Sequence, residues 1–154
     1  MQKLFHFDSE PGVYQSDAAL VFCFDDRFTL AVRKFLKRRG LVRTDSIRIA
    51  GGPKPLASPR DEGERAFVLD QLRLSRRLHG TGRVVLIAHS DCGAYGGLAK
   101  FSGDTQAEAD FHSAELSRAA AAVRSAIPDV EVECLLADFS GLWRVEAALS
   151  RSAG

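Results

Sequence analysis

Two short polar runs hold the side chains of this chain that best suit a bound metal ion. The first, residues 23–27, reads Cys-Phe-Asp-Asp-Arg, and the second, residues 89–93, reads His-Ser-Asp-Cys-Gly. Cysteine thiolate and neutral imidazole are the ligands that Zn²⁺ prefers, and a site with three protein ligands keeps its fourth position open for water. We therefore expect Cys23, His89 and Cys92 to bind zinc in an open site of the catalytic kind.

Asp25 and Arg27 follow in the first run, where they could control the open position. In extended backbone, residues two apart point to the same side, so the Arg27 guanidinium can hold the Asp25 carboxylate and lower its pKa. Asp25 then either occupies the fourth zinc position or accepts a hydrogen bond from a zinc-bound hydroxide. In the second case, water on the metal ionises near neutral pH and can attack an electrophilic carbon.

The third cysteine and the remaining histidines lack the spacing of metal ligands. Cys134 lies in an alternating apolar segment and is predicted to be a core residue. His6 and His79 are predicted at the surface. His112 lies on a helical segment three residues before Glu115, and we expect a solvated helix face there, with a proton shuttle as the alternative.

The size, charge and cysteine count of the chain are those of an ordinary domain. Its 154 residues can bury roughly 70% of the surface that the unfolded chain exposes, so one domain, residues 1–154, is expected. With 21 Lys and Arg against 20 Asp and Glu, the net charge of +1 favours neither nucleic acid nor a membrane as partner. Three cysteines and an N-terminus without a signal-peptide pattern favour a reduced, cytoplasmic protein.

Four apolar segments have the character of buried strands, and three periodic segments between them have that of helices. Strands are expected at residues 18–24, 46–50, 83–88 and 130–137, and helices at residues 28–39, 61–79 and 106–126. The second helix is expected to bury one stripe, formed by Phe67, Gln71, Leu74 and Leu78. The third opens with the capping-box pattern Thr105 to Glu108.

This alternation predicts an α/β fold with three layers: a mostly parallel sheet of order 2-1-3-4 with helices on both faces. Ligands of such sheets bind beyond the carboxyl ends of the strands, where the strand order reverses. The two polar runs follow the first and third strands, which are neighbours in that order, so we expect the runs to converge. Residues 53–59, with three prolines, are expected to form an irregular loop after the second strand.

The paired runs resemble the signature of the β-class carbonic anhydrases, Cys-x-Asp-x-Arg together with His-x-x-Cys. The segment Ile49–Gly52 is similar to the Ala-Gly segment that follows the second strand in that family. The segment Val132–Gly141 is similar to the family's last core strand and the turn after it. The similarity thus extends over most of the chain.

The resemblance implies a function and a set of roles. It implies that Cys23, His89 and Cys92 bind zinc, and that Asp25 and Arg27 form the dyad that controls the fourth ligand. The implied reaction is the reversible hydration of CO₂ to bicarbonate. Since members of the family build their active site at a two-fold interface, a homodimer or a higher even oligomer is also implied.

Three features depart from the family pattern: a short arm of 22 residues before the first cysteine, Ile49 in place of a polar residue, and the proline-rich segment 53–59. Relatives hydrolyse carbonyl sulfide (COS) or carbon disulfide (CS₂) on a similar site, so such a substrate is the alternative to CO₂. We expect Gly51, Gly52 and Gly93 to line the substrate pocket.

Two further hypotheses lie outside this reaction. In the first, the protein binds zinc but is catalytically silent, because Asp25 stays on the metal and residues 51–59 recognise a small anion or a partner. In the second, the protein is a thiol hydrolase in which Cys23 is the nucleophile and His89 the base.

Overall fold

Strands and helices alternate along the chain as the sequence pattern predicts. A computed structural model of the protein describes residues 1–146. The strands are β1 (Ala18–Phe22), β2 (Thr44–Arg48), β3 (Arg83–His89), β4 (Glu131–Ala137) and β5 (Leu142–Val145). The helices are α1 (Thr29–Arg38), α2 (Lys54–Ala57), α3 (Glu62–His79) and α4 (Thr105–Ala126), and 3₁₀ turns lie at Asp26–Phe28, Gly93–Tyr95 and Leu98–Phe101. Within this described range, no helix has both the length and the apolar character needed to cross a membrane.

The strands form one sheet of order β2-β1-β3-β4-β5, in which β1 to β4 are parallel. The predicted α/β fold and the strand order 2-1-3-4 are confirmed. The fifth strand, β5, pairs antiparallel with β4 and extends the predicted sheet. Sequence patterning missed it because two of its four residues are exposed, so it carries no apolar run.

Helices cover both faces of the sheet. In β1, Ala18, Leu20 and Phe22 pack with α1 on one face, while Ala19 and Val21 pack with α3 and α4 on the other. This alternation is the two-residue period of a strand. All five residues of β1 and six of the seven in β3 are buried, as expected for parallel strands between two helical layers. The predicted three layers are therefore present.

Pairing of β1 with β3 places the two polar runs at one edge of the sheet. Phe22, the last residue of β1, pairs with Ile87 of β3 in parallel register. Cys23 follows β1 directly, and His89 ends β3. The runs therefore leave neighbouring strands at the same end, as the predicted topology requires.

The buried face of α3 differs from the predicted stripe. Phe67 and Leu78 are 58% and 57% exposed, whereas Leu72 is 2% exposed. The buried positions are Val68, Leu69, Leu72 and Ser75. Both sets have helical spacing, so periodicity alone does not distinguish them, and contact with the sheet selects the second.

The start of α4 also differs from the prediction. Asp104 is the N-cap, and its carboxylate accepts hydrogen bonds from the backbone N–H groups of Gln106 and Ala107. Glu108 does not complete a capping box, because its side chain is buried and accepts a hydrogen bond from the backbone N–H of Asp91. The predicted capping box is therefore wrong.

His112 of α4 is fully buried, with 0% of its surface exposed, so the prediction of a solvated face is wrong. Its neighbours along this face, Glu108 and Glu115, are each 2% exposed. These three residues lie four and three positions apart, which puts them on one side of the helix. That side packs inward, although His112 and Glu115 were predicted to lie on a solvated face.

The proline-rich segment is partly helical rather than an irregular loop. Pro53 precedes the single turn α2, and Pro55 lies in its first turn. Proline is tolerated there because the first N–H groups of a helix have no partner within it. Leu56 anchors the turn in the core with 1% of its surface exposed.

The corrected orientation of α3 can be tested with two leucines of the same helix. We expect Leu72→Ala to lower the free energy of unfolding by about 2–5 kcal/mol, because the substitution leaves a cavity in the core. Leu78→Ala is expected to change it by less than about 0.5 kcal/mol, since that side chain is mostly exposed. Urea denaturation followed by circular dichroism measures both values. Equal losses in the two variants contradict this orientation.

Candidate metal centre

The structure brings the three predicted metal ligands into one group. A ligand atom from each of Cys23, His89 and Cys92 lies within 4.8 Å of the other two. The residues are 4%, 1% and 2% exposed, respectively. Residues distant in the chain thus form a buried cluster of two sulfur atoms and one nitrogen.

Cys23 is held against the segment that follows β2. A Cβ atom at Gly52 would lie 2.9 Å from the backbone nitrogen of Cys23 and 3.0 Å from the carbonyl oxygen of Ile87, and the φ of Gly52 is +56°. Glycine alone combines this backbone conformation with so close an approach. Gly51 is buried beside it and hydrogen-bonds the Cys23 thiolate through its backbone, whereas Gly93 is exposed.

The pKa values of the Cys23 and Cys92 thiols are shifted in opposite directions. A hydrogen bond from Cys92, aided by the side chain of His89 and the backbone N–H groups of Asp25 and Gly51, holds the pKa of Cys23 far below its usual value. The Cys23 thiolate and burial in turn raise the pKa of Cys92. A cation bound between them favours two thiolates, so metal binding at this pair releases a proton.

His89 is oriented by the carbonyl group of the next residue. Its Nδ1 lies 2.8 Å from the Ser90 carbonyl oxygen, and the ring packs against Phe28 with 4.9 Å between centroids. When Nδ1–H donates to a carbonyl group, Nε2 carries the free lone pair that binds metals. Among the residues that the structure describes, this buried Nε2 has no hydrogen-bond partner.

These residues fit a zinc ion. Leaving a buried nitrogen unpartnered costs about 1–3 kcal/mol, and a metal ion on the lone pair of His89 removes that cost. Two cysteines and one histidine are a ligand set of catalytic zinc sites. Within residues 1–146, Asp25 is not part of the compact three-residue group.

Arg27 holds Asp25 through several hydrogen bonds. The Arg27 Nη2 and Nε atoms lie 2.7 and 3.1 Å from Asp25 Oδ2, and the Arg27 backbone N–H donates to Oδ1 at 3.0 Å. The guanidinium lowers the pKa of Asp25 to about 2. The predicted contact is present, but not through extended backbone. Instead, Asp25 caps the 3₁₀ turn that contains Arg27.

Arg27 also joins the first polar run to the second. Its Nη1 donates to Asp91 Oδ2 at 2.9 Å, and its Nη2 donates to the Asp91 carbonyl oxygen at 3.1 Å. The guanidinium carbon lies 5.3 Å from the ring centroid of Phe139. From its place between two predicted ligands, Asp91 is expected to support the site or to lie at an interface and not to bind the metal, and its contact with Arg27 agrees with a supporting role.

A second buried carboxylate, Glu115, ties α4 to the surroundings of the site. It accepts hydrogen bonds from Ser58 Oγ at 2.5 Å and Tyr95 Oη at 2.8 Å, and it pairs with Arg118. Tyr95 lies three residues after the predicted ligand Cys92. Glu115 therefore connects the proline-rich segment and the 3₁₀ turn Gly93–Tyr95 to α4.

The sequence agrees with a known family over most of its length. A family model described as "Putative carbonic anhydrase" matches residues 14–148. Among curated protein sequences, none matches this chain significantly.

Solved structures share the fold at low identity. A carbonic anhydrase from Streptococcus mutans is 22% identical with a TM-score of 0.61, and the match covers 92% of this chain and 88% of that one. The β-carbonic anhydrase isoform I from Trichomonas vaginalis is 16% identical with a TM-score of 0.60, covering 94% and 90%. An apo carbon disulfide hydrolase is 14% identical with a TM-score of 0.55, covering 92% and 85%. With most of its length matched by the family model and the fold shared, the chain belongs to the β-class carbonic anhydrase family.

Proposed function

We propose that the protein catalyses the reversible hydration of CO₂ to bicarbonate with a bound Zn²⁺ ion. The observation that carries this proposal is the meeting of Cys23, His89 and Cys92 in one buried group, beside an Asp25 carboxylate that Arg27 holds. Membership of the carbonic anhydrase family supports the same reaction.

Contacts within the protein orient two of the three proposed ligands. Backbone N–H groups of Ala94 and Tyr95 hydrogen-bond the sulfur atom of Cys92, and the Ser90 carbonyl group fixes the ring of His89. Zinc bound here would supply a water molecule acidic enough to react near neutral pH. These contacts hold Cys92 and His89 in orientations that suit the proposed metal binding.

Asp25 acts as a hydrogen-bond acceptor in the proposed reaction. With its pKa lowered to about 2 by Arg27, Asp25 is ionised throughout the neutral range and has no proton to give. Arg27 supplies three N–H donors to the Asp25 carboxylate, and its Nε–H is shared between both oxygens. Because a carboxylate has about four acceptor sites, one site remains with which Asp25 can accept a hydrogen bond from the reacting water and orient it.

Aromatic rings give the site an apolar flank. Phe28 packs on His89, and Phe139 packs on Phe28 with 5.2 Å between centroids. Phe139 also lies over Arg27, next to the Asp25 carboxylate. A small, uncharged and apolar substrate such as CO₂ suits this flank.

The same flank suits COS or CS₂, and hydrolysis of such a substrate is the second candidate function. The observation in its favour is the fold shared with a carbon disulfide hydrolase. Both reactions use a water nucleophile at the same residues, so the two candidates differ in substrate alone.

Replacing the proposed ligand Cys92, next to a control cysteine, distinguishes loss of zinc binding from loss of folding. We expect Cys92→Ala to weaken zinc binding on the order of 100-fold or more and to abolish CO₂ hydration, because one of three ligands is lost. Cys134→Ala is the matched control, since Cys134 is equally buried but lies outside the cluster. Zinc content of the purified proteins measures the effect. Full zinc occupancy in Cys92→Ala contradicts the site.

Stopped-flow CO₂ hydration between about pH 6.5 and 9 tests the reaction. We expect activity that rises with pH, because the nucleophile is the deprotonated form of water, with a pKa near 7 on zinc. Asp25 does not titrate in this range, because it stays ionised, so it causes no decrease in activity there. Removal of the metal by a chelator should abolish the activity, and added zinc should restore it.

The competing hypotheses give different results in that experiment. A protein that holds zinc but is inactive at every pH, with CO₂ and with COS or CS₂, is a silent binding protein. Activity that persists without zinc favours a thiol hydrolase using Cys23 and His89.

The variant Asp25→Asn tests the proposed role of the carboxylate. It should keep its zinc and lose about 10²–10⁴-fold in turnover, because the orienting carboxylate is gone.

The protein is further proposed to be a cytoplasmic homodimer or higher even oligomer. Three free cysteines within residues 1–146 are consistent with a reduced compartment. Within the N-terminal arm of 22 residues, the first 15 residues expose apolar side chains that a partner subunit could cover: Leu4, Phe5, Phe7 and Val13.

Light scattering on the full chain tests the oligomer. We expect twice the mass of one chain or an even multiple of it, because an exposed apolar arm is stabilised by burial against a partner. Replacing Phe5 and Phe7 with serine should shift the distribution toward monomer. A monomer at the concentrations where the enzyme is active contradicts the proposal.

A further inference from the structure

Asp91 has an unusual backbone between the ligands His89 and Cys92. Its φ of +52° lies in the left-handed region that residues other than glycine seldom adopt. Such a conformation persists where neighbouring contacts enforce it. The N–H, carbonyl and carboxylate groups of Asp91 are all hydrogen-bonded, to Glu108, Arg27 and Leu98. These contacts hold the shape of the turn that joins the two ligands.

Glu108 is the partner of Asp91 that comes from a long, packed helix. Its Oε1 accepts the Asp91 backbone N–H at 2.8 Å, and its side chain is buried. The helix α4 that carries it is anchored in the core by Leu116 and Ala119, which are fully buried. The turn is thereby fixed to a rigid element.

The helix itself gives no reason for a buried carboxylate at this position. Asp104 already caps α4, and His112 Nε2 lies 3.8 Å from Glu108 Oε1, beyond hydrogen-bond distance. Within the part of the chain that the structure describes, the Asp91 amide is the only hydrogen-bond donor to the Glu108 side chain. Burial of a carboxylate is unfavourable without a hydrogen bond, so the bond from the Asp91 amide accounts for the buried position of the Glu108 side chain.

We propose that Glu108 is a positioning residue of the metal centre, which fixes the ligand turn through the amide of Asp91. Its effect extends to the dyad, because the Asp91 carboxylate holds Arg27, and Arg27 holds Asp25. The successive contacts measure 2.8, 2.9 and 2.7 Å. This inference rests on the proposed function and adds a residue that touches neither metal nor substrate.

The variant Glu108→Leu removes the acceptor while keeping an apolar side chain of similar size. We expect its zinc dissociation constant to rise about 10–100-fold, as for other residues that orient metal ligands. Glu108→Gln should recover most of the affinity, because its amide oxygen can accept the same hydrogen bond. Asp110→Leu is the matched control, since Asp110 is an exposed carboxylate on the same helix. Competition with a chromogenic chelator measures zinc affinity, and the Co²⁺ absorption spectrum reports ligand geometry.

A second variant separates the two halves of the contact. Asp91→Gly keeps the N–H that Glu108 accepts and tolerates the positive φ, but it loses the carboxylate that holds Arg27 and accepts the N–H of Leu98. We expect zinc affinity to fall clearly less than in Glu108→Leu, with a lower kcat because Arg27 and Asp25 lose a support. Zinc affinity that falls as far as in Glu108→Leu contradicts the assignment of the metal-positioning effect to Glu108.

The results distinguish this inference from the proposed function. A wild-type protein that binds no zinc overturns the proposed function, whereas wild-type zinc affinity in a folded Glu108→Leu variant overturns only the role of Glu108. If Glu108→Leu does not fold, hydrogen exchange in the wild type decides. An Asp91 amide that exchanges as slowly as the amides of α4 supports the role, and exchange at the rate of an exposed amide overturns it.

Discussion

Parallel pairing of β1 with β3 is the constraint on which the rest of this structure depends. Phe22 and Ile87 are partners in that pairing, so the chain leaves both strands at the same edge of the sheet. The ends of the two strands carry Cys23 and His89, and parallel strands from distant parts of the chain need a crossover to meet there. The helix α1 covers one face of these strands, and α3 and α4 cover the other. This packing on both faces stabilises the pairing.

Once the strand ends meet, Arg27 becomes the electrostatic centre of the site. Its guanidinium lies between Asp25 of its own run and Asp91 of the other, with hydrogen bonds to both. One positive charge therefore orders two carboxylates, and it keeps Asp25 ionised by lowering its pKa. The bridge also links Asp25 to the turn that carries His89 and Cys92, so the proposed acceptor and the proposed ligands are positioned together.

The helix α4 shows what sequence patterns leave open. Glu108, His112 and Glu115 share one face by their spacing, and His112 with Glu115 was predicted to lie on a solvated face. The structure buries all three because the turn after β3 and the segment after β2 cover them. Asp91 donates a hydrogen bond to Glu108 and Tyr95 donates one to Glu115, whereas neither ring nitrogen of His112 has a hydrogen-bond partner among the described residues. The helical period shows which residues share a face of the helix. Whether polar residues on that face contact solvent or form a buried hydrogen-bond network depends on the elements that pack against it.

The sequence by itself predicted the α/β class and the three layers, because apolar runs and helical periods are local properties of the chain, and it identified Cys23, His89 and Cys92 by residue type and by their places after strands. That these three residues meet depends on the pairing of β1 with β3, which the sequence supplied only as an expected strand order. It did not determine the buried face of α3, the turn α2 or the strand β5, since these depend on contacts with other elements. The same holds for Asp91 and Glu108, whose roles come from a hydrogen bond across 17 positions of the chain. Tertiary structure alone decided those roles, because a buried carboxylate is stabilised by the donor that the fold brings to it.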